Sequence, residues 1–339
     1  MRLSKFEYVR PSTLNQACAL LDEGKDAVSV VAGGTDLFVR MKQRVSSPDL
    51  VVDIKDIDEL RGISEDDGEI TIGAAVTLGE IHRSLLIQES AAPLAEAALA
   101  VGAAQLQNMG TIGGNLCLAT RCWYYQQTES WRQTRPPCLK TGGAVCYMVK
   151  RSKRCHALYS GDTAAALLAL GASVRIVSFS GVRTLPLENF FIDDGVRNTV
   201  LQPGELITEV AIPSQLIGQR ATYLKYRKRG SIDYPLTGVA AVLVKDNGTI
   251  RSLRIAVTGA GSLPFLVAGC DSLFKDQIIA ENLIDSLSEM VWRQTRPVSR
   301  MEVSPSYRKH LVRVLTKDAL NYITGLVKVA PPTCLKNHL

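Results

Sequence analysis

The hydrophobic pattern at the start of the chain changes character every few residues. Apolar positions at helical spacing over Thr13–Asp22 predict a helix, and the β-branched run Ser29–Val31 predicts a strand. A glycine-rich break, Ala32-Gly33-Gly34-Thr35-Asp36, leads into an amphipathic turn at Leu37–Met41. Strands are expected at Leu50–Ile54 and Glu69–Val76, and helices near Leu78–Leu86 and Pro93–Ala103. The next stretch, Gln105–Leu116, is poor in long apolar side chains and rich in Gly, Asn and Thr, which predicts a structured loop. Regular pattern resumes with a helix at Asp162–Leu170 and strands at Ser173–Phe179, Glu205–Ile212 and Ala221–Tyr226. Asp246-Asn247-Gly248 then joins Gly238–Lys245 to Thr249–Thr258 as a hairpin. Roughly the last 65 residues are mainly helical in pattern, about Gln277–Val291 and Pro305–Tyr322, so a domain boundary falls near 215–220.

Between these regions, Cys117–Cys155 sustains neither a helical nor a strand period and carries Pro136-Pro137 and Gly142-Gly143. Connections usually run to about 4–6 residues, and a loop this much longer is usually functional or disordered. The charge is concentrated there. From Arg121 to Cys155 the chain has eight Lys or Arg (Arg121, Arg132, Arg135, Lys140, Lys150, Arg151, Lys153, Arg154) and one acid, Glu129, a net +7 against +6 for the whole chain. Five of the eight cysteines, Cys117, Cys122, Cys138, Cys146 and Cys155, share these 39 residues, whereas Cys18, Cys270 and Cys334 are isolated. The hexapeptide WRQTRP occurs at 131–136 and 292–297, but its surroundings do not repeat, so it is no structural repeat.

Composition narrows the class. A chain of 339 residues is long enough for two or three domains with real cores, and 46% hydrophobic with 21% charged residues is ordinary globular usage. The most apolar stretch, Ala164–Ala172, is nine residues, far short of the roughly 20 that span a bilayer. With no signal-peptide-like core near the start, a cytoplasmic protein without a membrane span is expected. Lys225–Arg229 is basic with an aromatic inside it, yet strand alternation would split its charges between two faces, and no nucleic-acid partner is expected.

Two glycine-rich loops can carry chemistry. In Val30-Val31-Ala32-Gly33-Gly34-Thr35-Asp36-Leu37 a strand runs into a double glycine that can present backbone N–H groups to a phosphate, although the same residues also read as a tight strand-to-helix turn. The loop lacks both the three-glycine dinucleotide fingerprint and the Gly-Lys-Ser/Thr of a P-loop. The second loop, Asn108-Met109-Gly110-Thr111-Ile112-Gly113-Gly114-Asn115, lies about 75 residues later, and two such loops suit a ligand with two phosphates.

As an ordered set, AGGTD at 32–36, GTIGGN at 110–115, Ser160-Gly161-Asp162, ELITEVAIP at 205–213 and Lys225…Arg229…Asp233 resemble the FAD-binding subunit of the molybdenum hydroxylases, the xanthine dehydrogenase family. The resemblance runs over almost the whole chain, through PVSRMEVSPSYRKHLVRVL at 297–315. It implies an α+β fold. A two-part FAD-binding domain of the PCMH/vanillyl-alcohol-oxidase type would occupy 1–218 (subdomains about 1–56 and 57–218), followed by a smaller α+β domain of the CO dehydrogenase flavoprotein type at 219–330. It further implies that the two loops and Val101 wrap the FAD diphosphate and ribityl chain, that Asp162 and Lys225 stand where flavin-contacting residues are expected, and that Ile207 stands at a backbone contact.

Relatives in this family pass from the second loop to the aspartate within about ten residues, whereas here 46 residues separate Asn115 from Asp162. The insertion, at 117–158, holds Cys122, Cys138, Cys146 and Cys155 with spacing C-x15-C-x7-C-x8-C, which is not that of a zinc ribbon. Four thiolates reaching the corners of a [4Fe–4S] cluster tolerate such spacing, and the surrounding positive charge suits an anionic cluster. Zinc and redox-sensing thiols are the other readings, and a cytoplasmic chain disfavours disulfides. Cys117 is expected to be a small buried residue, and His156 either a donor to a cluster sulfur or a surface residue.

An extra cluster on the flavin subunit resembles the 4-hydroxybenzoyl-CoA reductase branch of the family. That branch implies an electron-transfer subunit beside a molybdenum-cofactor subunit and a small [2Fe–2S] subunit, in a dimer of heterotrimers fed by reduced ferredoxin on a basic face. The alternative within the family runs electrons the other way, from substrate oxidised at molybdenum to NAD or another acceptor.

Overall fold

The computed structural model describes residues 3–299 and 303–326; Cys334 and His338 lie outside the described residues. Three sheets organise the chain. The first is parallel, in the order β1-β3-β2, from β1 (Glu7–Val9), β2 (Val28–Val31) and β3 (Leu50–Asp53). Helix α1 (Leu14–Gly24) buries Ala17, Cys18 and Leu21, and α2 (Leu37–Lys42) buries Leu37 and Met41. The second sheet is antiparallel, in the order β4-β5-β8-β6-β7, from β4 (Ile63–Asp66), β5 (Glu69–Gly73), β6 (Ser173–Ser178), β7 (Gly181–Pro186) and β8 (Leu206–Ile212).

The expected helix at 78–86 is two helices, α3 (Leu78–Arg83) and α4 (Leu85–Ser90), because Ser84 ends the first and caps the second, accepting a hydrogen bond from Ile87 N at 3.4 Å. The strand expected to reach Val76 stops at Gly73, where a β-carbon would sit 2.3 Å from Leu60 O, and the chain then leaves the sheet. After α5 (Ala92–Ala100), the stretch expected to be a loop contains α6 (Ala104–Gln107) and α7 (Ile112–Leu116). Thr111 supplies the missing start signal for α7, since its Oγ1 accepts from Gly114 N at 3.2 Å.

The third sheet, β9 (Arg220–Tyr226), β10 (Thr237–Asp246), β11 (Thr249–Thr258) and β12 (Phe265–Leu266), is antiparallel in the order β12-β11-β10-β9. Asn247 and Gly248 turn its hairpin at φ 47° and 87°, the left-handed backbone that a two-residue turn requires. Both faces are covered, which explains the unbroken apolar run in β10. Ala240, Val242 and Ala256 join the core of the preceding domain, while Val239, Ala241, Leu243 and Ile255 pack under the helices of the C-terminal domain, α11 (Glu281–Gln294) and α12 (Pro305–Thr324).

Helix α9 (Thr163–Ala169) lies between the domains with every residue buried; its sequence TAAALLA lets backbones approach closely. Arg254 of β11 donates to Leu168 O at 3.0 Å and Ala169 O at 3.1 Å, satisfying carbonyls that the helix end leaves open. The chain is α+β, a flavin-type domain followed by a smaller α+β domain. Among the described residues no helix is long and apolar enough to cross a membrane.

Candidate functional site

A cavity of about 460 Å³ opens where the first sheet, the second loop and the C-terminal domain meet. Its wall includes Val30, Val31, Ala32, Gly33, Gly34, Thr35, Asp36 and Leu37 from the first loop, with Gly110, Thr111, Gly114, Asn115, Val101 and Asp162 opposite. The two loops touch. A β-carbon on Gly33 would lie 1.8 Å from Met109 O, so only glycine lets them close on one another, and Gly34 turns at φ +69°. Asn115 Oδ1 accepts from Thr163 N at 3.2 Å and Thr163 Oγ1 at 2.7 Å, fixing the second loop to the start of α9.

Asp162 stands at the start of α9 without capping it. Its carboxylate instead accepts from Tyr223 OH at 2.6 Å and Lys225 Nζ at 3.0 Å, both on β9, while Lys225 also donates to Ala100 O at 2.9 Å. Burial pushes the Asp162 carboxyl up and the Lys225 ammonium down, and each partner opposes the other's shift. The pair thus holds a buried carboxylate on the cavity wall.

Some expected residues stand back from the wall. Lys225 reaches it through Asp162, and Asn108, Ile112, Gly113 and Ile207 do not line it: Ile112 and Gly113 are buried on the inner side of α7, and Ile207 is buried within β8. The alternation argument about 225–229 also fails. β9 ends at Tyr226, and Lys225 and Arg227 are both buried, Arg227 donating to Ala100 O at 3.2 Å. Sequence reasoning missed Arg40, Leu78, Leu106, Leu118 and, on the third wall, Ile232 and Tyr234; Ser160 and Asp233, which stood in the family motifs without an assigned role, line the cavity as well. Cys117 is not a buried residue: it is exposed on the cavity wall.

The insertion builds a second, much smaller cavity. Cys122, Cys138, Cys146 and Cys155 line a void of about 20 Å³ together with Tyr124, Tyr125, Lys140, Tyr147 and His156. All four are free thiols. Burial pushes Cys122 up and Cys155 to about 11, and each feels charge on other thiols of the set. Among the described residues no three His, Cys, Asp or Glu come together around a metal ion as they stand. Four thiols around one small void are the donor types that a metal or cluster site uses.

The insertion has little regular structure, α8 (Glu129–Gln133) being its one α-helix, and is held by its own aromatic cluster. Trp123 packs edge-on against Tyr124 and Trp131 at 5.2 and 5.4 Å, and Tyr124 lies 5.4 Å from Tyr147. Its basic residues are largely engaged. Arg132 donates to Gln127 O at 2.6 Å and Arg44 O at 2.9 Å, Arg135 covers Trp131, Arg154 pairs with Asp193, and Arg121 pairs with Asp36. Lys140 donates to Gly195 O at 2.5 Å and to Thr120, and burial draws its pKa down to about 8. Lys150, Arg151 and Lys153 remain exposed. His156 lines the cavity, with Nε2 2.8 Å from Ser152 Oγ.

A cleft of about 460 Å³ between two glycine loops, backed by a second α+β domain, suits a FAD-binding oxidoreductase subunit, and comparison with known proteins agrees. Residues 4–215 match the FAD-binding domain of molybdopterin dehydrogenases, and residues 222–323 match the CO dehydrogenase flavoprotein C-terminal domain. The chain belongs to this family of molybdenum hydroxylase FAD-binding subunits. It is 31% identical over 332 residues to the nicotinate dehydrogenase FAD-subunit of Eubacterium barkeri, covering 95% of this chain and 99% of that one. It is 27% identical to the carbon monoxide dehydrogenase medium chain of Hydrogenophaga pseudoflava, covering 94% and 96%. A solved structure of carbon monoxide dehydrogenase from Hydrogenophaga pseudoflava superposes with a TM-score of 0.79 over 96% of this chain and 99% of that one, at 24% identity, and shares the fold.

Proposed function

We propose that the chain is an electron-transfer subunit that holds FAD between its two glycine loops, and that its insertion holds a [4Fe–4S] cluster. The observation that carries the flavin assignment is the 460 Å³ cavity, closed by Gly33 against the Met109 backbone and backed by the Asp162–Lys225 pair. FAD bound there would supply one- and two-electron transfer. The chain's own part is to hold and shield. The glycines let backbone approach the diphosphate, Val101, Leu106 and Leu118 exclude water, and Asp162 presents a fixed polar group at the start of α9. On this reading residues 1–218 hold the flavin, and residues 219–330 supply the third wall and the Lys225 support.

Substrate chemistry then belongs to a molybdenum-cofactor subunit, with a small [2Fe–2S] subunit beside it, in a dimer of heterotrimers in the cytoplasm. The relatives' names support the oxidative direction, in which electrons from a substrate leave through this subunit to NAD or another acceptor. The four-thiol cavity favours a second reading, a reductase of the 4-hydroxybenzoyl-CoA type serving aromatic degradation. Ferredoxin would then dock near Lys150, Arg151 and Lys153, and electrons would run toward molybdenum to remove the phenolic hydroxyl as water.

Analysis of the purified chain for flavin, iron and acid-labile sulfide tests this: one FAD with about four iron and four sulfide is expected. Zinc without iron would sink the cluster. Ser replacement of Cys122, Cys138, Cys146 or Cys155 should remove the iron and leave FAD, while Cys117→Ser should keep both. Turnover of 4-hydroxybenzoyl-CoA with reduced ferredoxin by the complex separates the two directions.

A further inference from the structure

The insertion is closed at its base by one isolated bridge. Arg121 N donates to Leu158 O and Leu158 N to Arg121 O, both at 2.7 Å, so residues 122–157 leave and re-enter the domain through this neck. The Arg121 side chain is 8% exposed and does not line either cavity. Its guanidinium pairs with the carboxylate of Asp36, in the first glycine loop, and stands 5.2 Å over the ring of Tyr234, on the third wall. Thus one side chain at the neck holds two walls of the flavin cavity, and the next residue, Cys122, opens the thiol set.

Asp36 gives this contact a purpose. A carboxylate on the wall of a cavity that receives a diphosphate repels its ligand unless its charge is balanced. Arg40 is a weak counter-charge, 3.9 Å away and 30% exposed, whereas Arg121 is buried against Asp36. Low local dielectric makes the buried partner count for more.

We propose that Arg121 is a positioning residue that couples the closed neck of the insertion to the flavin cavity, so that ordering the insertion and binding FAD reinforce each other. This rests on FAD occupying the cavity described above. When the neck opens, Arg121 is withdrawn, Asp36 keeps only the weaker counter-charge of Arg40, and Tyr234 loses the cation over its ring. Linkage makes the effect mutual: FAD must tighten the neck by the same factor by which the neck tightens FAD.

The test uses the full chain, stripped of FAD and titrated with FAD. Arg121→Gln should weaken binding by about five- to tenfold, within the usual range of such couplings, and Arg121→Lys by less. In an Asp36→Asn background the loss from Arg121→Gln should shrink to about twofold or less, because the charge it balances is gone. In the wild-type chain, FAD should slow amide hydrogen exchange of Arg121 and Leu158, a readout that needs no variant. Unchanged FAD affinity in Arg121→Gln, an equal loss in both Asp36 backgrounds, or neck exchange indifferent to FAD would each overturn the proposal. If instead Gly33→Val leaves FAD binding intact, the cavity assignment itself has failed.

Discussion

Four residues separate Cys117, on the wall of the flavin cavity, from Cys122, the first thiol of the small one. The two cavities are built by opposite means. The larger is walled by backbone and backed by the domain core: glycines bring two loops together, and the polar groups come from a buried pair spanning α9 and β9. The smaller is made of side chains on a segment with little regular structure, held by rings packed edge to face and by Arg132 reaching carbonyls. The first can exist before its ligand arrives. The second leaves four thiols around space for about one water, so its ligand would complete its core.

The largest expected effect breaks the larger cavity at its buried pair. Lys225→Met leaves Asp162 as a buried carboxylate without its cation, a loss of about 3–5 kcal/mol in pairs of this kind. Chemical denaturation should show that loss together with loss of FAD, while Asp162→Asn combined with Lys225→Met should recover most of the stability but not the flavin. Equal stability in the single and double variants would mean that the pair is not what holds this corner.

Gly33→Val probes the backbone contact itself. Its β-carbon would meet Met109 O at 1.8 Å, and both loops must move, at a cost of up to about 3 kcal/mol. FAD content should fall at least about tenfold, while the thiols of the insertion keep their positions, because none sits on either loop, and its neck loosens by no more than the coupling through Arg121, about five- to tenfold. Collapse of the insertion together with loss of FAD would show the two cavities to be one cooperative unit, coupled far beyond that single side chain.

The larger cavity was legible because its logic is local. Two glycine motifs announce themselves in eight residues each, and Asp162 precedes a helix whose apolar run is plain. Its third wall was legible only at Asp233, the end of the Lys225…Arg229…Asp233 set: Ile232 and Tyr234 join it because β9 and β10 place the loop between them against the flavin domain. The fold divides the same way. Asn247-Gly248 specified its hairpin outright, whereas β4 and β7, which are mostly exposed, carry no hydrophobic alternation to find. In the insertion, the cysteine types and the positive charge were visible. Their use was not, since most of the cations turn inward to carbonyls, rings and acids rather than forming one open basic face.

A smaller effect comes from Glu96 of α5, which ties the flavin domain to β9 by accepting from Tyr223 N at 2.6 Å and Thr222 Oγ1 at 2.9 Å. Burial raises its pKa from 4.5 to about 7. A carboxyl whose folded pKa lies above its unfolded value holds its proton longer in the folded state, so stability is highest below the unfolded value and falls as pH rises toward 7. The expected loss is at most about 2 kcal/mol between about pH 5 and pH 7. Glu96→Gln keeps an acceptor for both donors and removes the titration, so the fall in melting temperature across that range should flatten. An unchanged slope would place the titrating group elsewhere.

The smallest effect separates the two regions through one shared sequence. Both copies of WRQTRP close a helix: Gln133 and Gln294 are the last residues of α8 and α11, and the following Thr134 and Thr295 donate their hydroxyls to Trp131 O and Val291 O at 2.8 and 2.7 Å. Each tryptophan carries a cation on its ring, but from different sources. Arg135, inside the hexapeptide, lies 3.7 Å from the Trp131 centroid, and Lys309 of α12 lies 3.9 Å from that of Trp292. Each contact is worth about 0.5–1 kcal/mol at an exposed site. Arg135→Ala acts within a segment that has little regular structure, so it should speed proteolytic cutting of the insertion by a few-fold and leave the melting temperature of the chain nearly unchanged. Lys309→Ala acts between two helices of a packed domain and should lower the melting temperature slightly without opening a cutting site. If both variants behaved alike, the insertion would be as firmly folded as the helical domain, and the contrast between a prebuilt cavity and one completed by its ligand would fail.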